Sequence, residues 1–173
     1  DNATIELSYG TAFSASSLNG IKLVATYGAA GNKEISATWT LVGEALGTAV
    51  GSTATYQATV AKLAEGVTAP TVTVKVVKAE IQSYTAIADI EVPLGTMGDA
   101  VAAKFPKTVK VKLQDNSEKT LTVGEELQVS GSYGNDGSTA ATFPFKLELS
   151  EAAEANYTLG CEIEFKVKTK TSW

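Results

Sequence analysis

The sequence contains no histidine and no arginine, so all 14 of its basic residues are lysines. Without histidine it cannot build a Ser-His-Asp or Cys-His catalytic arrangement, an imidazole base that works near neutral pH, or a His-ligated zinc site. Without arginine it lacks the bidentate fork that recognises phosphate groups and the edge of guanine. The formal net charge of -5 at pH 7 also has the wrong sign for attraction to nucleic acid. The sequence therefore predicts no nucleic-acid partner.

Cysteine and long apolar runs are scarce as well. Cys161 is the only cysteine, so the chain cannot form an intrachain disulfide. It lies in the alternating stretch "YTLGCEIEFKVKT", where a small buried hydrophobic residue is the simplest interpretation. No stretch approaches the roughly 18 consecutive apolar residues of a membrane-spanning helix. The chain begins with Asp1 and shows no basic-then-apolar leader, so we expect an excerpt or a mature form of a longer protein.

Apolar residues recur at every second position along most of the chain, which is the period of a half-buried β-strand. In the first half, "ISATWTL" directs Ile35, Trp39 and Leu41 to one side. The stretch "TVTVKVVKA" does the same with Val72 and Val76. Clusters of Gly, Ser and Asn separate these short runs, as is typical of a β-sandwich.

The second half continues in the same style. Residues 105–123, "FPKTVKVKLQDNSEKTLTV", predict a β-hairpin in which Val109 and Val111 fill a core. Lys110 and Lys112 keep its outer face in water, and residues 115–118 form a polar turn.

Two stretches break the strand pattern and predict short helices. "TMGDAVAAKF" predicts one that Thr96 or Asp99 caps at its N-terminus, with Pro106 ending it. "SEAAEANY" predicts a second short turn capped by Ser150. The predicted fold is all-β: two tandem β-sandwich domains, residues 1–80 and 81–173, with a short helix in the second.

The first half resembles the bacterial MBG-type immunoglobulin-like repeat. The resemblance is carried by Tyr9 and Gly10, the central Trp39, the segment Gly51 to Tyr56, and the closing strand Val74 to Ala79. The second half is similar to other bacterial Ig-like domains, with Phe105-Pro106 standing where that family has Leu-Pro. Together the two resemblances cover nearly the whole chain. They imply a segment of a large bacterial cell-surface or secreted protein, and they transfer no catalytic residue.

Several residue groups suggest a site, and each also has a structural interpretation. Tyr27 and Tyr133 lie beside loops, where a ring with a polar tip suits a ligand such as a glycan. Turn residues with hard oxygen atoms suit calcium, although Asn, Asp and Gly are also ordinary turn formers; they are Asp115, Asn116, Glu118, Asn135 and Asp136.

Acidic pairs and a cross-link are two further hypotheses. Paired carboxylates provide the acid and base groups of glycosidases. Here they alternate with apolar residues, which is also the pattern of the solvent-exposed face of a β-strand. The pairs are Asp89 with Glu91, Glu125 with Glu126, and Glu162 with Glu164. Asn156 is a candidate acceptor for an isopeptide bond, which requires a lysine, an asparagine and an acid buried together.

We therefore predict a non-enzymatic extracellular protein segment without a cofactor, a bound metal or a membrane span. Its expected role is that of a structural spacer joined to other domains of the same parent chain. One alternative is an adhesive module that binds a host glycan or protein through Tyr27 and Tyr133 or through a free sheet edge. Another is a non-catalytic accessory part of a polysaccharide-degrading enzyme.

Overall fold

The computed structural model describes residues 3–26, 31–60, 68–134 and 139–171 of the chain. The predicted all-β fold is confirmed, because strands in several sheets make up most of the described chain and helices are few and short. The chain divides into two compact units, Asp1–Lys78 (unit 1) and Ala79–Trp173 (unit 2). The division falls close to the boundary predicted after residue 80.

The described residues of unit 1 form six strands and one 3₁₀ helix, Ala15–Gly20. The strands are β1 (Ala3–Ser8), β2 (Lys22–Thr26), β3 (Asn32–Ser36), β4 (Thr38–Val42), β5 (Thr53–Thr59) and β6 (Thr71–Val77). Four of them form one sheet in the order β1-β6-β5-β4, while β2 and β3 pair as an antiparallel ribbon. Only the contact of β1 with β6 is parallel in the four-stranded sheet.

The core of unit 1 forms around Trp39, which is only 8% exposed, so the prediction of a core tryptophan is confirmed. Val72, Val74 and Val76 are buried as the alternation predicted. Leu41 was predicted to point inward, and this prediction is wrong, because its side chain is 36% exposed. The reason is its place on β4, an edge strand that pairs only with β5, where part of the inner face is left uncovered.

The 3₁₀ helix fills the same core from a stretch that shows no helical period. The Ser14 hydroxyl accepts the backbone N–H of Ser16, and the Ser17 hydroxyl donates to the Ser14 carbonyl oxygen at 2.7 Å. This local bonding is the usual behaviour of serine at a helix start. It places Leu18, 1% exposed, in the core cluster.

In the part of unit 2 that the structure describes there are two short helices and eight strands, and the strands form two four-stranded sheets. The strands are β7 (Ala79–Tyr84), β8 (Ile90–Pro93), β9 (Thr108–Leu113), β10 (Glu118–Thr122), β11 (Leu127–Gly131), β12 (Thr142–Leu149), β13 (Tyr157–Leu159) and β14 (Ile163–Lys170). The helices are α1 (Gly98–Ala102) and α2 (Glu151–Glu154). One sheet has the order β10-β9-β7-β13 and the other β11-β12-β14-β8.

The predicted hairpin is β9 and β10, paired antiparallel as expected. Val109, Val111 and Leu113 are buried, while Lys110 and Lys112 are exposed, so this prediction is confirmed. Three phenylalanine rings also pack together: Phe145 on β12 and Phe165 on β14 belong to one sheet, and Phe105 lies in the segment after α1. The centroid of Phe105 lies 5.1 Å from that of Phe145 and 5.2 Å from that of Phe165, in the tilted arrangements that aromatic pairs favour.

Both predicted helices exist, but only one is capped as predicted. The Ser150 hydroxyl accepts the N–H of Ala153 at 3.1 Å, which is a side-chain N-cap. The cap proposed for α1 is wrong, because its N-cap is Met97, which makes no side-chain capping bond. The hydroxyl of Thr96 donates instead to the Pro93 carbonyl oxygen at 2.5 Å, and Asp99 lies inside the first turn.

The predicted continuous strand "YTLGCEIEFKVKT" is divided into β13 and β14 by residues 160–162. The backbone changes sheet here, since β13 pairs with β7 and β14 with β12 and β8. Gly160 lies where the chain crosses, and its N–H donates to the Ile81 carbonyl oxygen at 2.9 Å. A Cβ atom at this position would lie 3.0 Å from that oxygen, a tighter contact than most Cβ atoms make, so the crossing favours glycine.

The first and last strands of each unit run parallel to one another. In unit 1, β1 pairs with β6 in register from Ala3 opposite Val72 to Ser8 opposite Val77. In unit 2, β7 pairs with β13, and further along β8 pairs with β14, both in parallel. A chain that enters and leaves on parallel strands does so at opposite ends of the unit.

The described residues include no helix that is long and apolar enough to cross a membrane. Each described helix spans six residues or fewer, as the lengths of the 3₁₀ helix, α1 and α2 show.

Replacing Leu121 by alanine should destabilise unit 2 strongly. The Leu121 side chain is 0% exposed, and truncating a buried leucine costs about 2–5 kcal/mol of unfolding free energy. Urea denaturation followed by circular dichroism measures the loss. Lys119→Ala, an exposed position two residues earlier on the same strand, is the control and should change the free energy by about 0.5 kcal/mol or less. Equal losses in the two variants would contradict the assigned core.

Candidate functional site

Tyr133 is the predicted ligand contact that the structure describes. Its hydroxyl donates to the Thr96 carbonyl oxygen at 2.8 Å, and its ring packs edge-on against Phe143 with centroids 4.8 Å apart. The polar tip is therefore used within the fold, and the half-exposed ring is what a ligand would meet. Met97 follows Thr96 and is 68% exposed, so a small apolar surface accompanies the ring. The other predicted contact, Tyr27, lies outside the described residues.

The predicted calcium ligands at residues 115–118 form a turn stabilised by its own side chains. Asp115 Oδ1 accepts the Ser117 N–H at 3.0 Å and the Ser117 hydroxyl at 2.5 Å. The Ser117 hydroxyl, followed by its N–H, holds the pKa of the Asp115 carboxyl below its usual value. Asn116 has a φ of 68°, a left-handed backbone conformation that asparagine tolerates. These contacts are those of an ordinary Asx turn.

The other turn with hard oxygen ligands, Asn135 and Asp136, lies outside the described residues. Within the described ranges, no group of three or more Asp, Glu or Cys residues is arranged to hold a metal ion.

The acidic pairs are matched with lysines on neighbouring strands or with backbone donors. Asp89 Oδ2 lies 2.8 Å from Lys168 Nζ, and Glu91 Oε2 lies 2.6 Å from Lys170 Nζ. The hydrogen bond to Lys168 holds the pKa of Asp89 below its ordinary value and raises that of Lys168.

The remaining pairs behave similarly. Glu162 forms an ion pair with Lys146 at 3.2 Å, and Glu126 accepts the N–H of Thr122 at 3.0 Å. Glu125 and Glu164 are exposed. These carboxylates join strands and turns, and none of these contacts pairs one carboxylate with another.

Asn156 does not meet a buried lysine in the described part of the chain. Its N–H donates to the Ala153 carbonyl oxygen, and its carbonyl oxygen accepts the Ala79 N–H, both at 3.0 Å. Ser150 and Thr169 are the buried polar residues among those described, and each described lysine is partly or fully exposed. The buried trio that an isopeptide bond requires is therefore not assembled around Asn156.

Cys161 was predicted to be a buried hydrophobic residue, and the structure corrects this, because its side chain is half-buried and its thiol is free. It lies where the chain changes sheet and lines an open groove of about 370 Å³. The other lining residues are Lys146, Leu147, Glu148, Leu159, Gly160, Glu162 and Ile163. Partial burial raises the pKa of the thiol, which makes it a poor nucleophile at neutral pH.

Trp39 contributes to the core rather than to an aromatic platform, as its burial shows. Its indole Nε1 is buried without a hydrogen-bond partner. Phe13 and Tyr56 pack in the same cluster with centroids 5.7 Å apart.

The sequence analysis did not predict the ion pairs that link the β8 and β14 segments. The signal was present: Lys166, Lys168 and Lys170 alternate along one strand, and Asp89 and Glu91 alternate along another. Only the parallel pairing of β8 with β14 shows that these two sets face each other.

The comparisons with known proteins add no family. No protein-family model and no curated protein matches the chain.

The thiol of Cys161 should react slowly with a disulfide reagent such as DTNB. Because partial burial raises its pKa, the native rate should rise with pH around a midpoint above that of the urea-denatured chain. Stopped-flow absorbance between pH 6 and about 10 measures both profiles, a range that brackets the ordinary thiol pKa. Cys161→Ser gives the background. A native thiol that reacts as fast as the denatured one would contradict the assigned environment.

Proposed function

We propose that this chain is a non-catalytic spacer segment of a bacterial cell-surface or secreted protein. The observation that carries the proposal is the parallel pairing of the first and last strands in both units. In a spacer, the chain must enter at one end and leave at the opposite end. Parallel pairing of the first and last strands places the entry and the exit at opposite ends.

The pairing registers give the separations. In unit 1, Ala3 lies opposite Val72, and the chain continues five residues further to Val77, roughly 17 Å at about 3.3 Å per residue. In unit 2, Ala79 lies opposite Tyr157, and the last strand continues to Lys170. That distance is up to roughly 40 Å of extended chain. Each unit therefore returns the chain at the end opposite to the one at which it entered.

The resemblance of the sequence to bacterial Ig-like repeats supports the same proposal. Such modules occur in series in large surface proteins, and the family motifs mark strand ends and core positions. Trp39, Val74 and Val76 are core residues here, which agrees with a structural use of those motifs. The extracellular location is part of the proposal and rests on this resemblance.

A surface-display experiment tests the spacer. The chain is anchored to a bacterial surface by its C-terminus and carries a fluorescent reporter at its N-terminus. The control is a folded domain of similar mass whose two termini lie side by side. The reporter should lie a few tens of ångströms further from the surface on this chain, since unit 2 alone separates its ends by up to roughly 40 Å. Equal reporter heights, measured by optical localisation, would contradict a spacer.

Adhesion is the second candidate, and the half-exposed Tyr133 ring beside exposed Met97 favours it. The purified chain should be screened against glycans, mucin and extracellular-matrix proteins, with Tyr27→Ala and Tyr133→Ala alongside. Tyr133→Phe is the matched control, because it keeps the ring and loses only the bond to Thr96. The spacer proposal predicts no saturable binding. A hit that Tyr133→Ala abolishes and Tyr133→Phe retains would instead identify an adhesive module.

A further inference from the structure

The end strands of unit 2 are arranged so that a pull on the two ends of the chain loads them along their own length. The chain enters on β7 and β8 and leaves on β13 and β14, and both pairings are parallel. Pulling the ends apart draws the first strands backward and the last strands forward. The bonds between them must then shear together rather than open one after another.

The sheared pairing has two patches. The first pairs Ala79 to Ile81 with Tyr157 to Leu159, and the second pairs Ile90 to Pro93 with Val167 to Lys170. The N–H of Leu94 extends the second patch by donating to the Lys170 carbonyl oxygen at 2.8 Å. Between the patches, the N–H of Glu164 donates to the Tyr84 hydroxyl oxygen at 3.2 Å. The contact between the end segments therefore continues along the unit.

Two ion pairs cross the second patch on a diagonal. Lys168 lies directly opposite Glu91, yet its Nζ contacts Asp89, two residues earlier and just before β8 begins at Ile90. Lys170 lies opposite Pro93, and its Nζ contacts Glu91, again two residues earlier. Both lysines therefore reach backward by about 6–7 Å along the partner strand.

The direction of these diagonals matters under load. A pull on the C-terminus moves β14 forward relative to β8, so each lysine moves away from its carboxylate. Ion pairs slanted the other way would shorten at first and offer no resistance. The side chains of both pairs are only 39–41% exposed, so water and salt screen them less than the more open Lys146–Glu162 pair.

We propose that unit 2 is a tension-bearing unit in which the parallel end strands form a shear clamp, braced by the Lys168–Asp89 and Lys170–Glu91 ion pairs. This function deepens the proposed spacer and rests on it, because a spacer anchored at one end and attached to a partner or domain at the other transmits force. Unit 1 shares the parallel clamp of β1 with β6, continued by the Tyr9 N–H bond to the Val77 carbonyl oxygen at 2.8 Å.

Single-molecule force spectroscopy on the whole chain tests the clamp. Handles at the two termini load unit 2 in shear, and its unfolding is recognised as the longer of the two extension steps, since unit 2 has more residues. The comparison geometry uses a handle at Ala140→Cys and one at the C-terminus, in a Cys161→Ser background. Ala141 and Thr169 are hydrogen-bonded neighbours, so this pull opens the antiparallel β12–β14 pair one bond at a time.

Shear should need a clearly higher rupture force than opening from Ala140. Equal rupture forces in the two geometries would overturn the clamp. The urea midpoint of each variant is measured in parallel, so that a general loss of stability is separated from a loss of mechanical resistance.

The braces are tested by the double variant Asp89→Asn with Glu91→Gln, which keeps size and removes both charges. At a fixed force on the termini, unit 2 should unfold about 2- to 30-fold faster, the range expected for losing two partly exposed ion pairs. Glu162→Gln is the matched control, because it breaks the ion pair of Lys146 on β12 with Glu162, just before β14, and leaves β8 untouched. Unchanged unfolding in the double variant, or an equal acceleration in the control, would overturn the role of the braces.

The outcomes separate this inference from the proposed spacer. A low rupture force together with a raised reporter on the displayed chain would overturn the clamp and leave the spacer standing. A high rupture force without a raised reporter would count against the spacer alone.

Discussion

The parallel pairing of first and last strands is the constraint on which the rest of each unit depends. Parallel strands cannot be joined by a tight hairpin, so all the remaining strands must lie on the path between them. In unit 1 that path returns through β4 and β5 before β6 runs beside β1. In unit 2 it needs two sheets, because the first segment and the last segment each contribute a strand to both. The separation of the chain ends follows from the same pairing.

The change of sheet near Gly160 makes the long pairing of unit 2 compatible with a closed core. β13 and β14 are one run of alternating sequence, yet they belong to different sheets. Because the backbone crosses at a residue without a side chain, Tyr157 and Ile163 can both point into the interior. The cost of the crossing is local: Cys161 is left half-buried beside an open groove, and this partial burial raises the pKa of its thiol.

The charged side chains of this protein mainly form contacts between neighbouring strands. The acidic groups that resemble catalytic pairs in the sequence contact lysines or backbone donors, as Asp89 does with Lys168 and Glu126 with Thr122. An exposed ion pair contributes little to equilibrium stability, because water competes for both charges. Its contribution to mechanical resistance depends on direction as well as on energy. The two backward-slanting ion pairs between the β8 and β14 segments therefore resist a pull along the chain more than their small contribution to the free energy of unfolding suggests.

The sequence by itself determined the all-β class, the β9–β10 hairpin, the core role of Trp39 and the cap of α2 by Ser150, because period-two burial and helix capping act over a few residues. Only the tertiary structure decided the rest. Leu41 is exposed because β4 lies at a sheet edge, and α1 has no side-chain cap, since Thr96 bonds backward to Pro93 and Met97 occupies the N-cap position. The pairing of Lys168 with Asp89 joins residues 79 positions apart. A local sequence pattern does not indicate which distant strands become neighbours. Neither the parallel pairing of the end strands nor the ion pairs across it could therefore be predicted from the sequence alone.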